Sequence, residues 1–534
     1  MRKKVALLLI AALAIGTVLA GCASGEASDR AGNTGNAGAG SGGTGGGSAG
    51  AGSAGSGSGA GSGSGLGSGG SSTGSGGKRI AIEILTDSGG VTMPEGENDR
   101  LKLRLDEALN IDLKMNLFTE YTQVNLRMAS ANYPDMVWVS RTSLQEFARK
   151  GLLLDLTPYM DRLEPVVQFI GEENLRKGMV DGKIYGIAKR PSIPYFNIWI
   201  RKDWLDNLGL QVPTTLEEFF NVARAFTEND PDGNNQNDTY GYSGGGLSAF
   251  DPILSAFGVG SLGTFYVRDG RLVNALYDPR MPDAIRFVNE LIDAGVVDPD
   301  LLANVGTSAE QKAFQGKVGM IWNGFPRMTY PERVKEYKAV NPNAEWVQVP
   351  ALIGPGGQYA GVWDVGISPG MHAVAKSVEK DPEKLERLFD LLNYMATPEG
   401  AALVAHGEEG RHWYRDENGK IVRTELRAKE HVFVYQLLGR DEIEYLQSGY
   451  PLEAIEFSAG TPRIDVYNGL LDIPEGYNPA DAERYYLEEM AKFFYGKRPL
   501  DEYPKFLETL GGTFKYQWML DSADQQLREL GIIR

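Results

Sequence analysis

The chain has 534 residues, 53 of them basic against 70 acidic, and its formal charge of −17 argues against a nucleic-acid or polyanion binder and against a basic membrane-docking face. One cysteine and four histidines, His372, His406, His412 and His431, supply no disulfide framework and no pair at a metal-ligating spacing, so a zinc enzyme is not expected. The length beyond residue 77 suffices for two lobes with cores of their own, and 8 Trp with 24 Tyr leave aromatic surface beyond what those cores need.

Arg2, Lys3 and Lys4 precede an apolar run over residues 5–19 that is short for a bilayer span and closes on Leu19-Ala20-Gly21-Cys22. That order reads as a secretory signal over residues 1–21, and its small-small-Cys ending resembles the lipobox of bacterial lipoproteins. The resemblance implies cleavage before Cys22 and a lipid on that cysteine. After Cys22, residues 23–77 are almost entirely Gly, Ser, Ala and Thr and bury no core. Residues 22–77 therefore read as a lipidated, flexible tether of roughly 40 Å root-mean-square reach, taking about 5 to 6 Å times the square root of its length. The expected location is the extracellular face of the cell membrane.

Residues 78–85 alternate apolar and polar as a strand that stops at Thr86-Asp87-Ser88-Gly89-Gly90. Leu101, Leu105, Ala108 and Leu109 recur at helical spacing, residues 111–118 alternate again, residues 123–131 read as a helix, and residues 136–139 as a third strand. This is the opening of an open α/β sheet, in which ligands gather beyond the carboxyl ends of the strands. It nominates Asp87, Ser140 and Arg141. Farther on, residues 202–208 form an amphipathic helix ended by Gly209, with Trp204 assigned to core. Thr214 or Thr215 then caps a helix whose apolar stripe is Leu216, Phe219, Phe220 and Ala223.

Between residues 229 and 240 polar side chains fall at every second position: Asp230, Asp232, Asn234, Gln236 and Asp238. Such spacing wraps oxygens around a hard cation, and calcium, which takes six to eight, would receive five or six from these side chains and the Gln236 carbonyl. Gly233 stands fourth and Gly241 twelfth, where an EF-hand has its glycine sixth and a bidentate Glu twelfth, so the shell is expected to be weak; a metal-free turn is the alternative. The glycine cluster at 241–246 has neither phosphate-loop spacing nor a lysine.

The segments LRMASANYPDMVWV, GLLLDLTPYM, DGKIYGIAKRP, WIRKDWLDNLGLQVPTTLEEFF, GKVGMIWNGFP, GVWDVGISPGMHAVAKS and GEEGRHWY follow one another in order. Together they resemble the extracellular solute-binding proteins of ABC importers, specifically the large lipoprotein members of the sugar-binding family 1, some of which carry a calcium loop. The resemblance implies a two-lobe α/β fold of the periplasmic-binding-protein type II, closing on ligand between lobes joined by crossover strands. Lobe 1 is expected over 78–196 and 352–400, and lobe 2 over 197–351 and 401–534. It further implies a non-catalytic, monomeric receptor that hands an oligosaccharide to ABC permease subunits.

Sugar sites pair aromatic platforms with side chains that bond hydroxyls. Trp322, Trp363 and Trp413 are the candidate platforms; Asp87, Ser140, Arg141, Asn323 and Asp364 are the candidate polar partners. The net charge makes acidic sugars the lesser expectation. The alternatives are a secreted glycoside hydrolase or lyase, which needs two facing carboxylates, and a sensor or peptide receptor of the same fold.

Overall fold

The computed structural model describes residues 79–534 apart from residue 475. The signal, Cys22 and the tether lie outside the described residues. Within them, residues 81–534 form one unit built around two sets of cores.

The first lobe is a five-stranded sheet in the order Ile111–Phe118, Ile80–Asp87, Met136–Trp138, Met371–Val374, Gly186–Ala188. Ile80–Asp87 runs parallel to Met136–Trp138, while Met371–Val374 is antiparallel to both of its neighbours. Strand alternation divides the apolar side chains between two faces. Ile82 and Ile84 enter one core with Leu101, Leu105 and Ile111; Leu85 enters the other with Val137, Leu144 and Phe147. The helix Arg100–Leu109 that links the first two strands is capped by Asp99, which accepts from Lys102 N, and ends on Asn110 in the left-handed conformation.

The second lobe holds a sheet ordered Trp346–Gln348, Phe196–Arg201, Val318–Gly324, Tyr240–Ser243, and another ordered Arg271–Asn274, Phe265–Arg268, Ile464–Val466, Val362–Asp364. Along Phe196–Arg201, Ile198 and Ile200 face one core and Trp199 the other. Trp204 is fully buried, as its periodicity predicts, with the Arg201 guanidinium 4.6 Å from its ring centroid. Of the two threonines that could cap the helix Leu216–Glu228, Thr215 does so, in a reciprocal box with Glu218. The helices Pro479–Phe494, Tyr503–Gly512 and Tyr516–Glu529 add Met490, Phe493, Phe506 and Leu527 to the same core.

The cores divide the chain differently from the sequence boundaries. Leu352 and Val362, expected in lobe 1, pack in the second-lobe core, because Val362–Asp364 pairs with Ile464–Val466. Val404, Val432, Tyr435 and Leu438, expected in lobe 2, pack in the first-lobe core. Residues 346–348 are an edge strand of the second lobe. The chain thus passes between lobes over residues 189–195, 365–370 and 439–444. Among the described residues no helix is long and apolar enough to cross a membrane.

Candidate ligand cleft

At the carboxyl edge of the first sheet, Ser88 N–H donates to the Phe118 carbonyl at 2.9 Å, bringing two strand ends together. There Phe118, Tyr121 and Trp138 interlock edge to face with centroids 5.8 to 5.9 Å apart. Thr86 Oγ1 lies 3.1 Å from Nε2 of the buried His372, whose charged form is disfavoured first by burial and then by Lys189. Asp87 is half-buried, and its Oδ1 accepts from Gly89 N–H at 2.9 Å, closing the turn. Ser140 caps the helix Arg141–Arg149 by accepting from Ser143 N–H at 3.2 Å.

Arg141 reaches from that helix to both lobes. Its Nη1 donates to the Lys177 and Met179 carbonyls at 2.9 and 2.6 Å, and its Nε to Asp472 of the second lobe at 3.2 Å. Beside it Lys177, 6% exposed, donates to the Ile367 carbonyl at 2.8 Å; burial pushes its ammonium down to about 8 against the opposing pull of Asp364 and Glu173. Burial in turn raises Asp364, while the amides of Gly366 and Gly469, both 2.9 Å from its oxygens, work the other way. These contacts bring the two lobes together at the strand ends.

On the second lobe, Trp322 comes near the end of Val318–Gly324, half-buried, with the ring of Phe196 at 5.8 Å and 41°. Phe196 is 44% exposed. Gly361, at φ +108°, lies beside Trp322: a Cβ there would come 3.4 Å from the Trp322 ring and 3.5 Å from Arg463 Nη1, in ordinary contact, but the backbone conformation would strain any side chain. Arg463 donates to the carbonyls of Ala360 and Phe196, each at 2.6 Å. Trp363 pairs in register with Asp465, and since Val362, Ile464 and Val466 turn to the core, Trp363 and Asp465 turn away from it.

Two predicted contacts are packing residues instead. Asn323 is 7% exposed on the opposite face of its strand from Trp322; its amide donates to Glu310 at 3.3 Å and its oxygen accepts from Gly324 N–H. Trp413 is 5% exposed, donates its indole N–H to the Gly407 carbonyl at 2.9 Å and packs on His406. It lines a cavity of about 650 Å³ with Arg104, Glu107, Tyr394 and Glu399, to which neither Trp322 nor Trp363 contributes. Tyr121, Trp138, Phe196, Lys177, Arg463, Asp465 and Asp472 escaped the sequence reading. Trp138 carried a usable signal, its place at the end of a predicted strand; Arg463 carried none, because its neighbours come from residues 196, 322 and 361.

In the acidic loop Asp230, at φ +48°, accepts from Asn234 N–H at 3.0 Å and Asn235 N–H at 2.8 Å. The Asn234 amide donates to Asp232 and Asp238 at 3.1 and 3.3 Å, and Lys317 Nζ lies 2.5 Å from Asp238. Gln236 N–H donates to Asn234 Oδ1 at 2.7 Å. Asp232 Oδ1 is buried with no partner, and its carboxyl is raised by burial and then by Asp230. The Asp232 oxygen is unmet, but Lys317 engages Asp238, and among the described residues no group of three His, Cys, Asp or Glu stands close enough to hold a metal ion.

The family model of the bacterial extracellular solute-binding proteins matches residues 116–402, more than half of the chain. The chain belongs to that family. Lipoprotein LipO of Bacillus subtilis (strain 168) is 27% identical over 372 residues, 67% of this chain and 72% of its own. The polygalacturonan/rhamnogalacturonan-binding protein YtcQ of the same strain is 25% identical over 401 residues, 72% of this chain and 78% of its own. Among solved structures, an HMO-binding, ABC-transporter-associated solute-binding protein from Bifidobacterium longum infantis superposes with a TM-score of 0.65 at 17% identity, covering 84% of this chain and 98% of that one. That likeness establishes the two-lobe fold for this solute-binding protein.

Proposed function

We propose that this solute-binding protein is the receptor of an ABC importer, anchored through a lipid on Cys22 at the outer face of the membrane, and that it takes an oligosaccharide between its lobes and passes it as a monomer to the permease subunits. The observation that carries the ligand class is the Phe196–Trp322 pair, a half-exposed aromatic surface beside Arg463, with Trp363 and Asp465 turned from the same core. Such surfaces stack on the C–H faces of sugar rings while neighbouring polar groups bond hydroxyls. Asp87, Ser140 and Asp364 act as framework around the cleft, their oxygens being engaged by backbone amides.

Closure follows from the contacts between lobes. Arg141 with Asp472 ties the first lobe to the second, Lys177 bonds the Ile367 carbonyl of one crossing, and the three crossings supply hinges about which the lobes part. The acidic loop belongs to the same reading: Asp230, Asp232, Asn234, Asp238 and the Gln236 carbonyl would hold a calcium ion, which when bound supplies the positive charge that their carboxylates lack.

Titration calorimetry of the mature chain against oligosaccharides tests the site. Trp322→Ala is expected to weaken sugar binding by about 2 kcal/mol or more, as for a central aromatic anchor. Trp413→Ala is expected to lower stability by about 3 kcal/mol or more and leave the affinity of the folded protein unchanged. The reverse pattern would remove Trp322 from the site.

A further inference from the structure

We infer that Arg463 reads a carboxylate, so that the ligand of this cleft is an acidic oligosaccharide whose ring stacks on Phe196 and Trp322. The inference rests on the sugar-receptor reading above and narrows it. Arg463 leads into the strand Ile464–Val466 and is half-buried. Its guanidinium donates to two backbone carbonyls, Ala360 and Phe196, and its Nε is buried without an acceptor. No Asp or Glu pairs with it among the described residues, and burial alone pushes it down to about 10, so it remains charged at neutral pH.

Several other basic side chains among the described residues are met by acids instead. The cleft cation Arg141 is met by Asp472, Lys177 stands in the field of Asp364, and the buried Arg201 is held by both oxygens of Asp203 at 2.8 and 2.6 Å. With 70 acidic residues available, a half-buried arginine left with neutral carbonyls is a cation awaiting an anion. The two carbonyls hold the planar fork in place, and a carboxylate is the group such a fork accepts through two parallel bonds.

The surroundings define what carries that carboxylate. A Cβ at Gly361 would stand 3.4 Å from the Trp322 ring and 3.5 Å from Arg463 Nη1, in ordinary contact with both, so ring and guanidinium border one surface. A sugar acid, whose ring stacks while its carboxylate meets the fork, fits both halves. Asp465, two residues on and turned from the core, accepts from hydroxyls. The chain's charge of −17 does not oppose this, because at physiological salt charges are screened beyond about 8 Å and the contact is local.

The test is calorimetry of the mature chain with oligogalacturonate and oligoglucuronate, with the same oligomers reduced from carboxylate to alcohol, and with acetate as a free carboxylate. The acidic oligomers are expected to bind at least tenfold more tightly than their reduced twins, with acetate not binding. In Arg463→Gln that preference falls to threefold or less, and Arg463→Lys keeps an intermediate preference. Should Arg463→Gln fail to fold, the lysine variant and the salt dependence of the wild type decide: affinity for the acidic oligomer falls between 50 and 500 mM NaCl while that for the reduced one holds. Equal or tighter binding of the reduced oligomers, or a preference that survives Arg463→Gln, overturns the inference and leaves the sugar receptor standing. Acetate binding as tight as the oligomers would make this a small-anion site and also overturn it. If no sugar of either kind binds, the receptor reading itself fails.

Discussion

Three histidines illustrate how much single residues depend on the fold. His372, His406 and His431 are buried and held uncharged, by burial first and then by Lys189 for His372 and by Arg427 for the other two; His406 is pushed down to about 3. Unfolded, each accepts a proton near 6.5. Below pH 6.5 the unfolded chain therefore binds more protons, so their contribution is full above pH 6.5 and is lost as the pH falls, for His406 down to about 3. Urea unfolding is expected to show stability dropping by about 1.4 kcal/mol per pH unit for each histidine below 6.5. His406→Phe should make that slope shallower; a stability unchanged between pH 7 and 5.5 would show that these histidines protonate in place. None of this was legible beforehand, since composition counts histidines without burying them. Trp322 and Trp413 make the same point: both sit in strands flanked by turns, but the hairpin Trp413–Arg415 with Ile421–Arg423 turns Trp413 inward and Tyr414 outward.

Local elements were the most legible layer. The helix Leu216–Glu228 was readable from Thr215, Glu218 and an apolar stripe because all its determinants lie within a few turns. The strand pairing of Val362–Asp364 with Ile464–Val466 was not, because it joins segments about a hundred residues apart. The acidic loop lies between these cases: its alternating oxygens were visible, the Lys317 ammonium on Asp238 was not. Calcium is expected to raise the melting temperature of the protein, by an amount set by ligation at [Ca²⁺] relative to Kd, about 2.7 kcal/mol at a hundredfold excess. Asp232→Ala, which removes the unmet oxygen, should abolish the shift; a shift that persists in that variant would place the ion elsewhere.

The whole molecule is two lobes whose cores draw on separated segments, and the ordered family segments made that architecture legible while the lobe boundaries stayed hidden. Residues 401–438 were expected on the second lobe, and it is the burial of Val404, Val432, Tyr435 and Leu438 against Leu388 and Leu392 that assigns them to the first. The cleft was legible as a place, through the strand-end rule that nominated Arg141, and not as a surface, because Phe196, Gly361 and Arg463 converge only in the folded chain. The central claim is that this convergence binds a sugar without altering it. The most direct measurement is calorimetric titration of the mature chain with a panel of neutral and acidic oligosaccharides, followed by recovery of the ligand. The account predicts saturable one-to-one binding with the oligosaccharide returned intact. Absence of binding across the panel, or recovery of shortened sugars, would contradict it.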